Sequence, residues 1–107
     1  MTESEFFVTT SALLTMIEAQ LDVAGLDIDV SVNEGLLELA FSNGSSIIVN
    51  RHAVNQEIWV AARGGGFHYR FDSKEWHNTR SNTPLLTELA EHISRQAGVL
   101  FTFDRER

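Results

Sequence analysis

The chain has 107 residues, with eight basic side chains against fifteen acidic ones, a formal net charge of −7 and no cysteine. That length corresponds to one domain, and 43% hydrophobic residues suffice for a single two-layer core. Its acidity ranks nucleic acid low as a partner, and the lack of thiols excludes disulfides, cysteine nucleophiles and thiolate-held metal, so any metal has to be held by oxygen or imidazole.

From Thr2 to Ala24 the apolar residues Phe6, Leu13, Leu14, Ile17, Leu21 and Ala24 recur at three- and four-residue steps, which predicts a helix with one buried face. Thr2 and Glu5 have the spacing of a capping box, and Gly25 stands where a helix ends in the left-handed conformation. The opening residues are acidic where a secretory or transit signal is basic. No run approaches the roughly 18 consecutive apolar residues of a membrane span. The sequence therefore reads as a cytosolic protein without membrane contact.

The period then changes to two. Ile28, Val30 and Val32 alternate with Asp27, Asp29 and Ser31, and Leu37, Leu39 and Phe41 alternate again after Asn33-Glu34-Gly35, which predicts a hairpin. Asn43-Gly44 supplies a tight turn into a third strand, Ile47 to Asn50. Further short strands are predicted at Glu57 to Ala61, Phe67 to Phe71 and Glu75 to His77, separated by the polar loop Arg51 to Gln56 and by Gly64-Gly65-Gly66.

Thr83 is the expected N-cap of a closing helix, with Pro84 at its first position, an apolar face of Leu86, Leu89, Ala90, Ile93 and Ala97, and Gly98 at its end. The apolar tail Val99 to Phe103 is expected to pack beside the helices, and Asp104 to Arg107 to fray. The architecture predicted is α+β: a two-layer sandwich with both helices on one face of an antiparallel sheet of five to six strands.

Alternation in Glu57-Ile58-Trp59-Val60-Ala61 leaves two registers open. Either Ile58 and Val60 face the helices and Trp59 lies on the open side with His68 and Arg70, where aromatic and Arg side chains suit a docking surface, or Trp59 is core.

Charge is segregated along the chain. Before Arg51 there is no Lys or Arg, while Glu3, Glu5, Glu18, Asp22, Asp27, Asp29, Glu34 and Glu38 all fall there. Such a stretch attracts cations or a basic protein partner, or it is a solvated face that keeps the chain soluble. Glu18 and Asp22 are one helical turn apart, and Asp27 and Asp29 share a side of the next strand. Asp22 falls in the last helical turn, where the helix dipole disfavours an anion by roughly 0.3 to 1 kcal/mol.

The segment from Asn50-Arg51-His52 to Ile58-Trp59-Val60-Ala61, a glycine-rich turn and Phe67-His68-Tyr69 resemble the signature of frataxins, the bacterial CyaY branch in particular. Ser4-Glu5-Phe6, Phe41-Ser42-Asn43-Gly44-Ser45, Glu75-Trp76 and Gln96-Ala97-Gly98 extend the resemblance over essentially the whole chain. The resemblance implies a non-enzymatic protein of iron–sulfur cluster assembly, an iron donor or regulator that docks on the cysteine desulfurase and its scaffold. By position it implies an iron-binding ridge of Glu18, Asp22, Asp27 and Asp29, extended by Glu3 and Glu5, and a docking face of Asn50, Trp59 and His68, which Arg70 joins.

An exposed, oxygen-only site of this kind binds iron weakly and discriminates poorly among divalent metals. No organic cofactor is implied, and a monomer is expected, with metal-driven oligomers open. The sequence departs from the family pattern at Val23-Ala24-Gly25-Leu26, which interrupts a denser acidic run, and at His52, where many relatives have Gln. The histidines lack paired metal-ligand spacing, and Trp76 is expected to serve the fold. The competing functions are a ferroxidase or iron store and an acidic adaptor or inhibitor unrelated to iron.

Overall fold

The computed structural model describes residues 1–104. Helix α1 spans Glu3–Ala24, and its start is the expected capping box: Glu5 donates its backbone N–H to the Thr2 hydroxyl at 3.0 Å, and Thr2 donates its own to the Glu5 carboxylate at 2.8 Å. Gly25, at φ +68, ends the helix in the left-handed region. Six strands follow: β1 (Ile28–Asn33), β2 (Leu36–Phe41), β3 (Ser46–His52), β4 (Glu57–Ala62), β5 (Gly65–Phe71) and β6 (Trp76–Asn78). They form one antiparallel sheet in chain order, and helix α2 (Leu85–Ala97) closes the fold.

One apolar cluster joins the layers. It takes Phe6, Leu13, Leu14, Ile17 and Leu21 from α1, Leu85, Leu89, Ala90 and Ile93 from α2, and Leu37, Leu39, Ile47, Val49, Ile58, Val60 and Tyr69 from the sheet. The register makes this a single sheet face, since Val49 pairs with Val60, Val60 with Phe67 and Ile58 with Tyr69. Both helices therefore lie on that side, and the register with Trp59 on the open side is the one adopted. By length and composition α1 is apolar enough to cross a membrane, but Phe6, Leu13, Leu14, Ile17 and Leu21 on it belong to this core.

Three local expectations are corrected. Ala24 is exposed, because the chain turns away at Gly25. Pro84, not Thr83, is the N-cap of α2; the Asn78 N–H donates to the Thr83 carbonyl at 2.8 Å and Pro84 bridges to His77, so both residues still belong to the sheet margin. Strand β3 runs on to His52, which places that imidazole opposite Glu57 in β4.

Trp76 is buried edge-to-face against Phe6, 6.1 Å between ring centroids. In the tail Phe103 is buried, and Gln20 of α1 pairs with the Asp104 backbone in both directions, at 2.8 and 2.7 Å. Leu100 is exposed. Residues 105–107, expected to fray, lie outside the described residues.

Candidate functional site

Two surfaces carry the chemistry. The first is the C-terminal end of α1 with the start of β1. Glu18 and Asp22, one turn apart, and Asp29 on β1 border one open depression of about 490 Å³. Asp22 sits in the last helical turn, which carries no basic residue. Asp27, also exposed, occupies the bend before β1 and does not border that depression.

Glu3 and Glu5 fall elsewhere. They begin a helix that rises about 1.5 Å per residue, so they lie roughly 20 to 28 Å along the axis from Glu18 and Asp22. The Glu5 carboxylate is already engaged by the Thr2 backbone N–H and hydroxyl, which hold it below the usual carboxylate range. The single ridge that the resemblance implied is therefore two acidic groups at opposite ends of α1. Among the described residues, no three His, Asp or Glu side chains converge closely enough to grip one ion.

The second surface is the open face of the sheet. Cross-strand pairing sets Asn50 opposite Trp59 and Trp59 opposite His68, with His52, Glu57 and Arg70 opposite one another in the adjacent row. The expected docking residues Asn50, Trp59, His68 and Arg70 thus form one patch. The indole is not bare, however. His52 stacks on one face of Trp59 at 3.7 Å between centroids and 9° from parallel, and His68 on the other at 4.3 Å and 7°.

Glu57 lies beneath this stack, with a relative exposure of only 5% although it belongs to the open face. One carboxylate oxygen accepts the Trp59 indole N–H at 2.8 Å, and the other accepts from Arg70 at 2.7 Å. His68 Nδ1 is 3.6 Å away. Burial pushes this carboxyl up, but the hydrogen bonds from Trp59 and Arg70 and the charges of Arg70 and His68 outweigh it and hold it below its ordinary value.

Sequence reasoning did not single out Glu57, and it noted His52 as a departure from the family that could tune the interface. The available signal was alternation, which already put Glu57 on the face of Trp59 two residues on.

Of the remaining histidines, His77 approaches Asp72 at 3.0 Å and Glu75 at 3.5 Å on the β5–β6 side. His92 is buried on α2 against Phe67, with centroids 4.8 Å apart, and burial together with the nearby Arg95 lowers its pKa.

A family model described as frataxin-like domain matches residues 1–99. The chain is similar to the iron-sulfur cluster assembly protein CyaY of Dechloromonas aromatica, 44% identical over 99 residues that cover 92% of this chain and 94% of the relative. It is similar also to the protein of the same description from Cupriavidus taiwanensis, 43% identical, with 96% of each chain covered. Among solved structures, frataxin from Psychromonas ingrahamii superposes with a TM-score of 0.92 at 31% identity, covering 98% of this chain and 100% of that one. Trimeric yeast frataxin gives 0.65 at 25% identity, covering 82% and 74%.

Proposed function

This chain belongs to the frataxin-like family, and from that premise we propose that it is an iron-binding protein of iron–sulfur cluster assembly that works by docking, without catalysis of its own. In this reading iron is cargo held loosely at the end of α1, and the open sheet face receives the assembly scaffold. The acidic end also meets basic surface of the cysteine desulfurase.

One observation supports this division most strongly: a small sandwich keeps an all-oxygen anionic end apart from a sheet face of stacked rings and a guanidinium. Glu18, Asp22 and Asp29 suit ferrous iron by ligand type. Because they are open to solvent and not convergent, they suit transfer better than retention. Aromatic and Arg side chains on a rigid sheet are what anchor a protein partner.

The test is a desulfurase-driven cluster-assembly reaction with and without the protein. The wild type is expected to change the rate, Trp59→Ala to abolish that change, and neutralisation of Glu18, Asp22 and Asp29 to reduce it in a salt-dependent way. An unchanged rate with the wild type would overturn the proposal.

A further inference from the structure

Open sheet faces normally keep their carboxylates in water, yet Glu57 is enclosed, and an ionised carboxylate is retained in such a place only where its oxygens are satisfied. Its two oxygens are divided between two side chains of the same face, the indole N–H of Trp59 and the guanidinium of Arg70. The Trp59 bond reaches along β4 to i+2, so it fixes the indole's rotation about its own side-chain bonds. Both indole faces are then covered by imidazoles from the flanking strands, His52 of β3 and His68 of β5. On this side the His52 Nδ1 is buried and makes no hydrogen bond among the described residues, and the ring stacks on the indole. Arg70, with 65% of its side chain exposed, is tethered at one nitrogen and leaves the rest of its fork toward solvent.

We infer that Glu57 is the positioning residue of the sheet-face docking surface: its carboxylate locks the Trp59 indole between His52 and His68, so that a partner meets ring edges and the Arg70 fork rather than an indole face. The inference rests on the docking role proposed above for this face. A loose indole would offer many rotamers, and ordering it on binding would cost affinity; a locked one is preorganised. Ring edges carry the positive side of the aromatic quadrupole, so orientation also decides what chemistry the partner meets.

Trp76, buried in the core, provides an internal reference for the test. In ¹H–¹⁵N spectra of the free full-length protein, solvent exchange of the Trp59 indole N–H is measured in wild type, Glu57→Ala and Glu57→Gln, with the Trp76 indole as control. Glu57→Ala is expected to speed Trp59 exchange on the order of tenfold, the factor for one lost hydrogen bond, and to leave Trp76 unchanged. Glu57→Gln keeps an oxygen acceptor and should restore most of the protection. Affinity for the iron–sulfur scaffold, measured in parallel, should fall about tenfold in Glu57→Ala and recover in Glu57→Gln.

Wild-type exchange at Trp59 in Glu57→Ala would overturn the inference, and so would a released indole that leaves scaffold affinity untouched. Should Glu57→Ala also expose Trp76, Glu57→Gln decides: protection kept at Trp59 supports the lock, and protection lost overturns it. Failure of the wild type to bind scaffold would instead overturn the docking role, while indole exchange would still report on Glu57.

Discussion

Arg51 of β3 reaches across to α1 and donates from Nε to the hydroxyl of the fully buried Thr10 at 2.7 Å. A second nitrogen donates to Ser11 at 2.7 Å, and the guanidinium lies 4.4 Å over the Phe7 ring. Arg51 is the first basic residue of the chain, and it ties the helix that carries the acidic end to the sheet that carries the ring stack. Arg51→Ala should therefore lower stability by about 2 to 3 kcal/mol, as expected for charged hydrogen bonds lost in a partly buried place. Urea unfolding at equilibrium checks this, and Arg51→Lys should recover little of the loss because a single ammonium cannot reproduce the fork.

Gln96 links three elements. Its amide nitrogen donates to the Ser45 hydroxyl at 3.0 Å and the Ser46 carbonyl at 3.2 Å, and its amide oxygen accepts the Arg63 backbone N–H at 2.9 Å. Asn43 adds a bond to the Gln96 carbonyl at 2.8 Å. Gln96→Leu keeps approximate volume and the Asn43 bond but strands the Ser46 carbonyl and the Arg63 N–H, and should lower stability by about 2 to 3 kcal/mol in the same assay.

These contacts explain how much was legible beforehand. Local chemistry was: the Thr2–Glu5 box, Gly25, the Asn43-Gly44 turn and the alternation that puts Ile58 and Val60 on the face opposite Trp59 can all be read along the chain, while which of those faces lies under the helices stayed open. What depends on register between strands was not. Placing His52 and His68 on opposite faces of Trp59, or Glu57 under both Trp59 and Arg70, requires knowing which residue stands opposite which. Grouping Glu3 and Glu5 with Asp22 failed for a simpler reason, since a helix of 22 residues holds its ends far apart. Thr83 looked like a cap because its pairing with Asn78 is a tertiary fact.

Acid should destabilise the fold in two stages. The His92 pKa is lowered by burial and by Arg95, with Glu88 and Glu91 acting against them. Below its unfolded value of 6.5, the unfolded chain binds a proton that the folded chain refuses, so this contribution is present above pH 6.5 and is lost as pH falls. His92→Gln should flatten stability as pH falls below 6.5, where a single group contributes at most about 1.4 kcal/mol per pH unit. Glu5, Glu57 and Asp72 are all lowered from their ordinary values of 4.5, 4.5 and 3.8, so their contributions hold above those values and disappear at lower pH. Denaturant midpoints measured across pH would show both stages.

Glu5→Ala should separate capping from cargo. It removes the carboxylate that accepts the Thr2 N–H and should lower stability slightly, since the Thr2 hydroxyl still caps the helix. Metal response at the other end of α1 should be unchanged, as read by titrating Co²⁺ into both proteins.

The most direct measurement for the central claim follows every backbone amide during anaerobic titration with Fe²⁺. The account predicts broadening or shifts centred on Glu18, Asp22 and Asp29 and their neighbours to Gly25, fast and weak, with Glu3, Glu5 and the His52, Trp59 and His68 stack undisturbed. Perturbation centred on the imidazoles of the sheet face, or none around Glu18 to Asp29, would contradict it.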